Sequence, residues 1–182
     1  LIPTETLPVL IDRATAALSS ARSSAEVLEA RDMARVAYDA AKSAGRMAQA
    51  KQAHDSLIAE IHRSQANALA IRARAEMRLA EEYDAAQDRG EVQRHGGQVP
   101  RDVGPDNIPS ATDLGIRRDE IHEARKLRDA EASEPGLISR ALDAMVARGE
   151  EPTRAALKRE VFEKPKPKQM DPKALWVWGR LK

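Results

Sequence analysis

The densest run of groups able to hold an anion lies between residues 110 and 128. There Ser110-Ala111-Thr112-Asp113-Leu114-Gly115-Ile116 reads as one helical turn, a glycine and an apolar residue, and a helix follows from Arg117 to about Glu131. At about 100° per residue, Ile121, Ala124 and Leu127 form one stripe of that helix. Arg118, His122, Arg125 and Lys126 point the opposite way, joined by Asp129, with Arg117 just ahead of them. A short helix, a tight turn and a second helix make the helix-turn-helix outline, whose second helix lies in the major groove of DNA. Cations on such a face neutralise phosphates, and an arginine can take guanine O6 and N7 together. A solvated, mixed-charge helix face would carry the same residues. A second basic set, Arg154, Lys158 and Arg159, lies on the later pair of helices, 135–148 and 152–163. Phosphate contact is a secondary role there, because those helices read first as completing the small core of the same module.

Other chemistry has little support. His54, His62, His95 and His122 are dispersed, without the spacing of a metal-binding motif. Gly96-Gly97 follows no strand and precedes no Gly-Lys-Ser, so it is no phosphate loop. The chain has no cysteine, which removes thiolate nucleophiles, thiolate zinc sites and disulfides. No nucleophile elbow is present, and the paired acids Glu81-Glu82 and Glu150-Glu151 sit at helix ends. The expectation is a non-enzyme with no cofactor and no metal.

These residues must be positioned by helices. Alanine supplies 33 of 182 residues, 23 of them before Arg89, while aromatics total five. Ala, Glu, Arg and Leu favour helix, and sheet formers are few and scattered. The fold class is therefore all-α. Pro8 opens a first short helix, and Ser23-Ser24-Ala25-Glu26 reads as a capping box for a second over about 25–43, with a break or kink at Ser43-Ala44-Gly45. Arg46 to Asp88 holds no proline or glycine, enough for a rod of roughly 60 Å. Its apolar residues recur at three and four, but Ser64, Arg72 and Arg78 interrupt the seam and argue against a strict zipper. A narrow alanine stripe on so long a helix needs a partner, and a second copy of the chain would supply one. Four parts result: a hairpin or coiled-coil-like rod over 1–90 that self-associates, a flexible glycine- and proline-rich linker over 91–109, a helix-turn-helix-like module over 110–163, and 164–182. The last begins with the basic spacer Lys164-Pro165-Lys166-Pro167-Lys168 and runs into a helix containing Trp176 and Trp178.

The formal charge of +1 hides an uneven distribution. Residues 1–90 carry 12 basic and 13 acidic groups, 91–116 carry 2 and 4, and 117–182 carry 16 and 12. A basic excess confined to the last third points to a polyanion there. No apolar run reaches the roughly 18 residues of a membrane helix and no signal peptide is visible, so the expected location is cytoplasmic, or on the nucleoid if DNA is bound. The missing Met at the start and the apolar helix cut short at Lys182 point to a fragment of a longer protein.

Three segments carry a family resemblance: Val27-Leu28-Glu29-Ala30-Arg31-Asp32-Met33-Ala34, the stretch from Ile71 to Ala80, and Thr112-Asp113-Leu114-Gly115-Ile116 after a linker. In this order they resemble a loose group of helical proteins from phages, prophages and other bacterial mobile elements. That group places a long helical region before a helix-turn-helix-like segment. The resemblance spans roughly residues 25–130 and implies a DNA-binding or DNA-transaction accessory protein, with no catalytic residues to carry over. The chain departs from the group at Leu79-Ala80-Glu81-Glu82, where a glycine is often found. Pro152-Thr153-Arg154-Ala155-Ala156-Leu157 is separately similar to the start of some plasmid-encoded DNA-binding proteins.

The expected function is thus a non-catalytic, dimeric accessory or regulatory protein that contacts duplex DNA through Arg117, Arg118, His122, Arg125, Lys126, Arg154, Lys158 and Arg159. The competing expectation is a helical adaptor, or an inhibitor of a host or phage protein, with no nucleic-acid role and no membrane.

Overall fold

A computed structural model describes residues 6–93, 108–113 and 116–162. Among these the chain is all-α. Its helices are α1 (Leu7–Ser20), α2 (Ser24–Ala50), α3 (Asp55–Asp88), α4 (Arg118–Ser133), α5 (Leu137–Ala147) and α6 (Arg154–Phe162). Residues 94–107 of the expected linker, Leu114-Gly115 of the expected turn, and the whole of 163–182, with its lysine-proline spacer and both tryptophans, lie outside the described residues.

The helix ends follow local chemistry. Pro8 sits in the first turn of α1, where its missing N–H costs nothing. The Ser23 hydroxyl accepts the Glu26 N–H at 3.3 Å, and the Glu26 carboxylate accepts the N–H of Arg22, one residue before the cap. The capping box is therefore present in a slightly shifted form.

The next boundary differs from the expectation. α2 passes straight through Ser43-Ala44-Gly45 and ends at Ala50. Gly45 is buried, and a Cβ there would stand 3.4 Å from Ile61 Cγ2, so the glycine lets α2 and α3 approach rather than breaking the helix. The chain reverses instead at Lys51–His54. Gln52 takes the left-handed conformation (φ 52°), donates to Gln49 O, and lets Ala53 N–H donate to Ala48 O at 2.9 Å. That pair of bonds is a Schellman turn with glutamine where glycine is usual. The same turn closes α3 at Gly90 and α5 at Gly149 with the customary residue.

α3 is the axis of the molecule. α1 and α2 pack on one side of it, and α4 and α5 on the other, with α6 against α4 and α5. One core cluster joins Tyr38 of α2, Leu69 of α3, Leu127 of α4, Met145 of α5 and Leu157 of α6. A second joins Val27, Leu79, Ile116 and Ile121, and a third joins Ala14, Ala34 and Ile71. The segments expected to form a rod and a separate module thus share one core. Even the two ends of the intervening connection meet, with Gln93 N–H donating to Pro109 O at 3.1 Å.

Two interruptions of the apolar seam become anchors. The Arg78 guanidinium donates to the carbonyls of Leu18 and Ala21 at 3.2 and 2.7 Å, satisfying the free end of α1. Arg72 reaches Glu76 one turn on, at 2.9 Å. The alanine stripe, expected to need a second copy, is covered by the chain's own helices, since Ala68, Ala75 and Ala80 are fully buried. Among the described residues no helix is long and apolar enough to cross a membrane.

Candidate nucleic-acid interface

The segment before α4 carries no helix among its described residues. Ala111–Asp113 is a turn, held where the Asp113 carboxylate accepts the N–H and hydroxyl of Ser110 at 2.8 and 2.7 Å. Buried Ala111 and Ile116 pin it to the body, and Ile116 N–H donates to Ala111 O. Among the described residues the helix-turn-helix outline is represented by this turn and α4, and Leu114-Gly115 between them lie outside the described residues.

Ile121, Ala124 and Leu127 face the core, as their spacing requires. Arg118, His122 and Lys126 are exposed and make no ion pair among the described residues. Arg117 is exposed and bonded to its neighbour Asp119, Nε to Oδ1 at 3.1 Å.

Arg125 departs from the expected outward face. It lies only about 40° around the helix from Ile121, so its long side chain folds back onto α3. There it donates to Asp84 through Nε at 2.8 Å and to Gln87 Oε1 at 3.0 Å, with its guanidinium 5.6 Å from the Tyr83 ring. Arg128 reaches the other Asp84 oxygen at 2.6 Å. Burial alone would raise the Asp84 pKa, but the bonds from Arg125 and Arg128 outweigh it and hold the carboxyl below its usual range.

The second basic set is also largely turned inward. Arg154 Nη2 stands 3.0 Å from Glu76 and 3.3 Å from Glu123, and Lys158 Nζ stands 2.5 Å from Glu123. With Arg72 they form a chain of alternating charges that ties α3, α4 and α6 together. Glu76, at its centre, is only 7% exposed. Arg159 is exposed on α6 and makes no ion pair among the described residues. Of the eight expected DNA contacts, Arg125, Arg154 and Lys158 are thus committed to the body's own carboxylates. Asp84, Glu76 and Glu123, the acids that hold them, carry no local signal in the sequence.

The charge count sharpens the point. Residues 117–162 carry ten basic and ten acidic groups. The entire excess therefore falls in 163–182, with Lys164, Lys166, Lys168, Lys173, Arg180 and Lys182 against Glu163 and Asp171.

The histidines have ordinary roles. His54 caps α3 by accepting the Ser56 N–H, His62 is buried, His122 is exposed, and His95 lies outside the described residues. No cluster of potential metal ligands occurs among the described residues.

A small pocket of about 190 Å³ opens between the end of α3 and the start of α4. Arg118, Ile121 and Arg125 line it from α4, Tyr83 and Gln87 from α3, and Ser110 from the turn.

Comparison with protein-family models, with curated proteins and with solved structures finds no match for the chain.

Proposed function

We propose that the chain is a non-catalytic DNA-binding accessory protein, in line with its resemblance to mobile-element proteins, and that its helical body is the platform rather than the main reader. Phosphate contact comes from the basic segment 163–182, assisted by the unpaired cations Arg118, His122 and Lys126 of α4 and Arg159 of α6. The observation behind this reading is the charge distribution: a body neutral over 117–162, whose inner cations are spent on Asp84, Glu76 and Glu123, followed by six basic groups against two acidic ones. Contacts of this kind read phosphate rather than sequence, and they are strongly salt-dependent. The reading needs no second copy, because α3 is covered within the chain.

The test is a mobility-shift titration of the full chain on duplex DNA at two salt concentrations. Replacing Lys164, Lys166 and Lys168 with Glu weakens binding and lowers the salt slope by about one for each phosphate no longer neutralised. Arg118→Ala with Lys126→Ala gives a smaller loss. Equal affinity of the lysine variant and the parent overturns the reading.

A second reading, a protein-binding adaptor, draws on one feature. Met47 and Leu57, 57% and 46% exposed, flank the reversal between α2 and α3, beside Arg46 and Lys51. No binding of the parent to duplex DNA at low salt favours that reading.

A further inference from the structure

Most cations on the inner side of α4 and α6 have a carboxylate. Arg118 has none among the described residues, yet it lines the pocket between α3 and α4 together with Arg125. We infer that this pocket binds a phosphoryl group, with Arg118 as its principal ligand.

The acids nearby are already bonded. Asp84 accepts from both Arg125 and Arg128, and Arg128 also reaches Asp129 at 3.0 Å, so these two arginines and two carboxylates balance. Asp113 is turned onto the N–H and hydroxyl of Ser110. Arg118 adds one positive charge that faces no carboxylate partner among the described residues.

Donors remain on three sides. Arg125 spends Nε and Nη2 on Asp84 and Gln87, leaving Nη1 free to donate. Tyr83 Oη accepts from Gln87 Nε2 at 3.4 Å and keeps its own proton to donate. The Arg118 guanidinium makes no bond among the described residues. Two planar guanidiniums and a phenol match a tetrahedral oxyanion, for which arginine forks give short, charge-assisted bonds.

Size sets the ligand class. At about 190 Å³ the pocket falls below the range that encloses drug-sized ligands. It takes a single phosphoryl group, with the rest of the ligand outside. Two sources share this chemistry: a phosphate of a nucleic-acid strand, or a free phosphate or small ester. The inference stands apart from the reading of 163–182, since none of the lining residues belongs to that segment.

The experiment uses the full chain labelled with ¹⁵N-arginine. Inorganic phosphate is titrated at constant ionic strength, with chloride as the balancing salt, while the arginine side-chain Nε–Hε signals are followed. Saturable shifts are expected at Arg118 and Arg125 together. Arg118→Ala weakens the phosphate affinity about tenfold, the worth of one charge-assisted bond, and Arg118→Lys lies between. Arg118 is exposed at the first position of α4, so neither variant threatens the fold, and an unchanged melting curve verifies this. A short oligonucleotide with and without a 5′-phosphate distinguishes the sources. Tighter binding than inorganic phosphate, dependent on Arg118, assigns the group to nucleic acid, and equal affinity assigns it to small phosphates. Shifts that do not saturate, or an Arg118→Ala variant that binds phosphate like the parent, overturn the inference. The Lys164, Lys166 and Lys168 variant retains the phosphate titration in full, so failure of the DNA reading and failure of the pocket are separate results.

Discussion

The two sides of α3 are held by different forces. Toward α1 and α2 the contact is built largely from small residues, with Val27 and Tyr38 among them: Ala34, Ala41, Ala68 and Ala75 are completely buried, and Gly45 lets the α2 backbone come close to Ile61. Toward α4, α5 and α6 the contact combines larger side chains, Leu127, Leu142, Met145 and Leu157, with carboxylates that gather arginines and a lysine. Close packing of small groups depends on shape, and dispersion carries it regardless of salt. Ion pairs between partly exposed groups depend on ionic strength and pH. One helix therefore has a side held mainly by close packing, with Arg78 as a charged anchor to α1, and a side whose contact rests more heavily on ion pairs. The latter side is also the one that carries the unpaired cations and the phosphoryl pocket.

The largest expected effect removes what the two sides share. Leu69 is 2% exposed and sits in the cluster that joins α2 to α5 and α6. Leu69→Ala destabilises by about 3 kcal/mol, from reduced burial and the cavity left behind, as read by urea denaturation. Both halves should melt together in one transition. Separate transitions for the α1–α3 and α4–α6 halves would show that the two sides are independent after all.

Glu76→Ala isolates the charged side. It leaves Arg72 and Arg154 without their common acceptor in a largely buried place, and the expected loss is about 2 kcal/mol. Its salt dependence separates it from Leu69→Ala: the difference from the parent shrinks as salt rises, whereas the Leu69→Ala difference stays constant.

Asp84 gives the pH arm of the comparison. Its carboxyl is held below the usual range by Arg125 and Arg128 against the opposing effect of burial, so its ionised form is bound more tightly folded than unfolded. The resulting stability is fully present above the unfolded carboxylate pKa and is lost as pH falls through the folded value, on the acid side of about pH 4. Asp84→Asn costs about 1 kcal/mol at neutral pH, because the group is partly exposed, and flattens the acid limb of stability against pH. An acid limb identical to the parent's would mean the triad contributes nothing.

The same contrast explains what can be read from residues alone. The all-α class, the capped start of α2, the end of α3 at Gly90 and the buried stripe of α4 follow from local spacing and propensity, which act within a few residues. The ion pairs do not. Arg125, Arg154 and Lys158 look like outward cations because their partners, Asp84, Glu76 and Glu123, lie on other helices. An alanine stripe likewise shows that a helix is covered, but not whether its own chain or a second copy covers it. Gly45 reads as a break by its type, whereas its place in the packing makes it a close-approach residue within a continuous helix.

The reversal that does occur, at Gln52, carries neither glycine nor proline, which is why spacing and propensity pass over it. A side chain in the left-handed region costs about 1–2 kcal/mol per residue, and glycine removes that strain while adding freedom to the unfolded chain. The two nearly offset, so Gln52→Gly stabilises by about 0.5 kcal/mol in urea denaturation. The effect is small but its sign is diagnostic. Gly90 and Gly149 hold the same conformation in the turns that end α3 and α5, so Gly90→Ala and Gly149→Ala shift stability the other way. Because the Gln52 turn joins only the two helices of the small-residue side, its gain should be the same at low and high salt. A gain that grew or vanished with salt would show that charged contacts reach this turn as well.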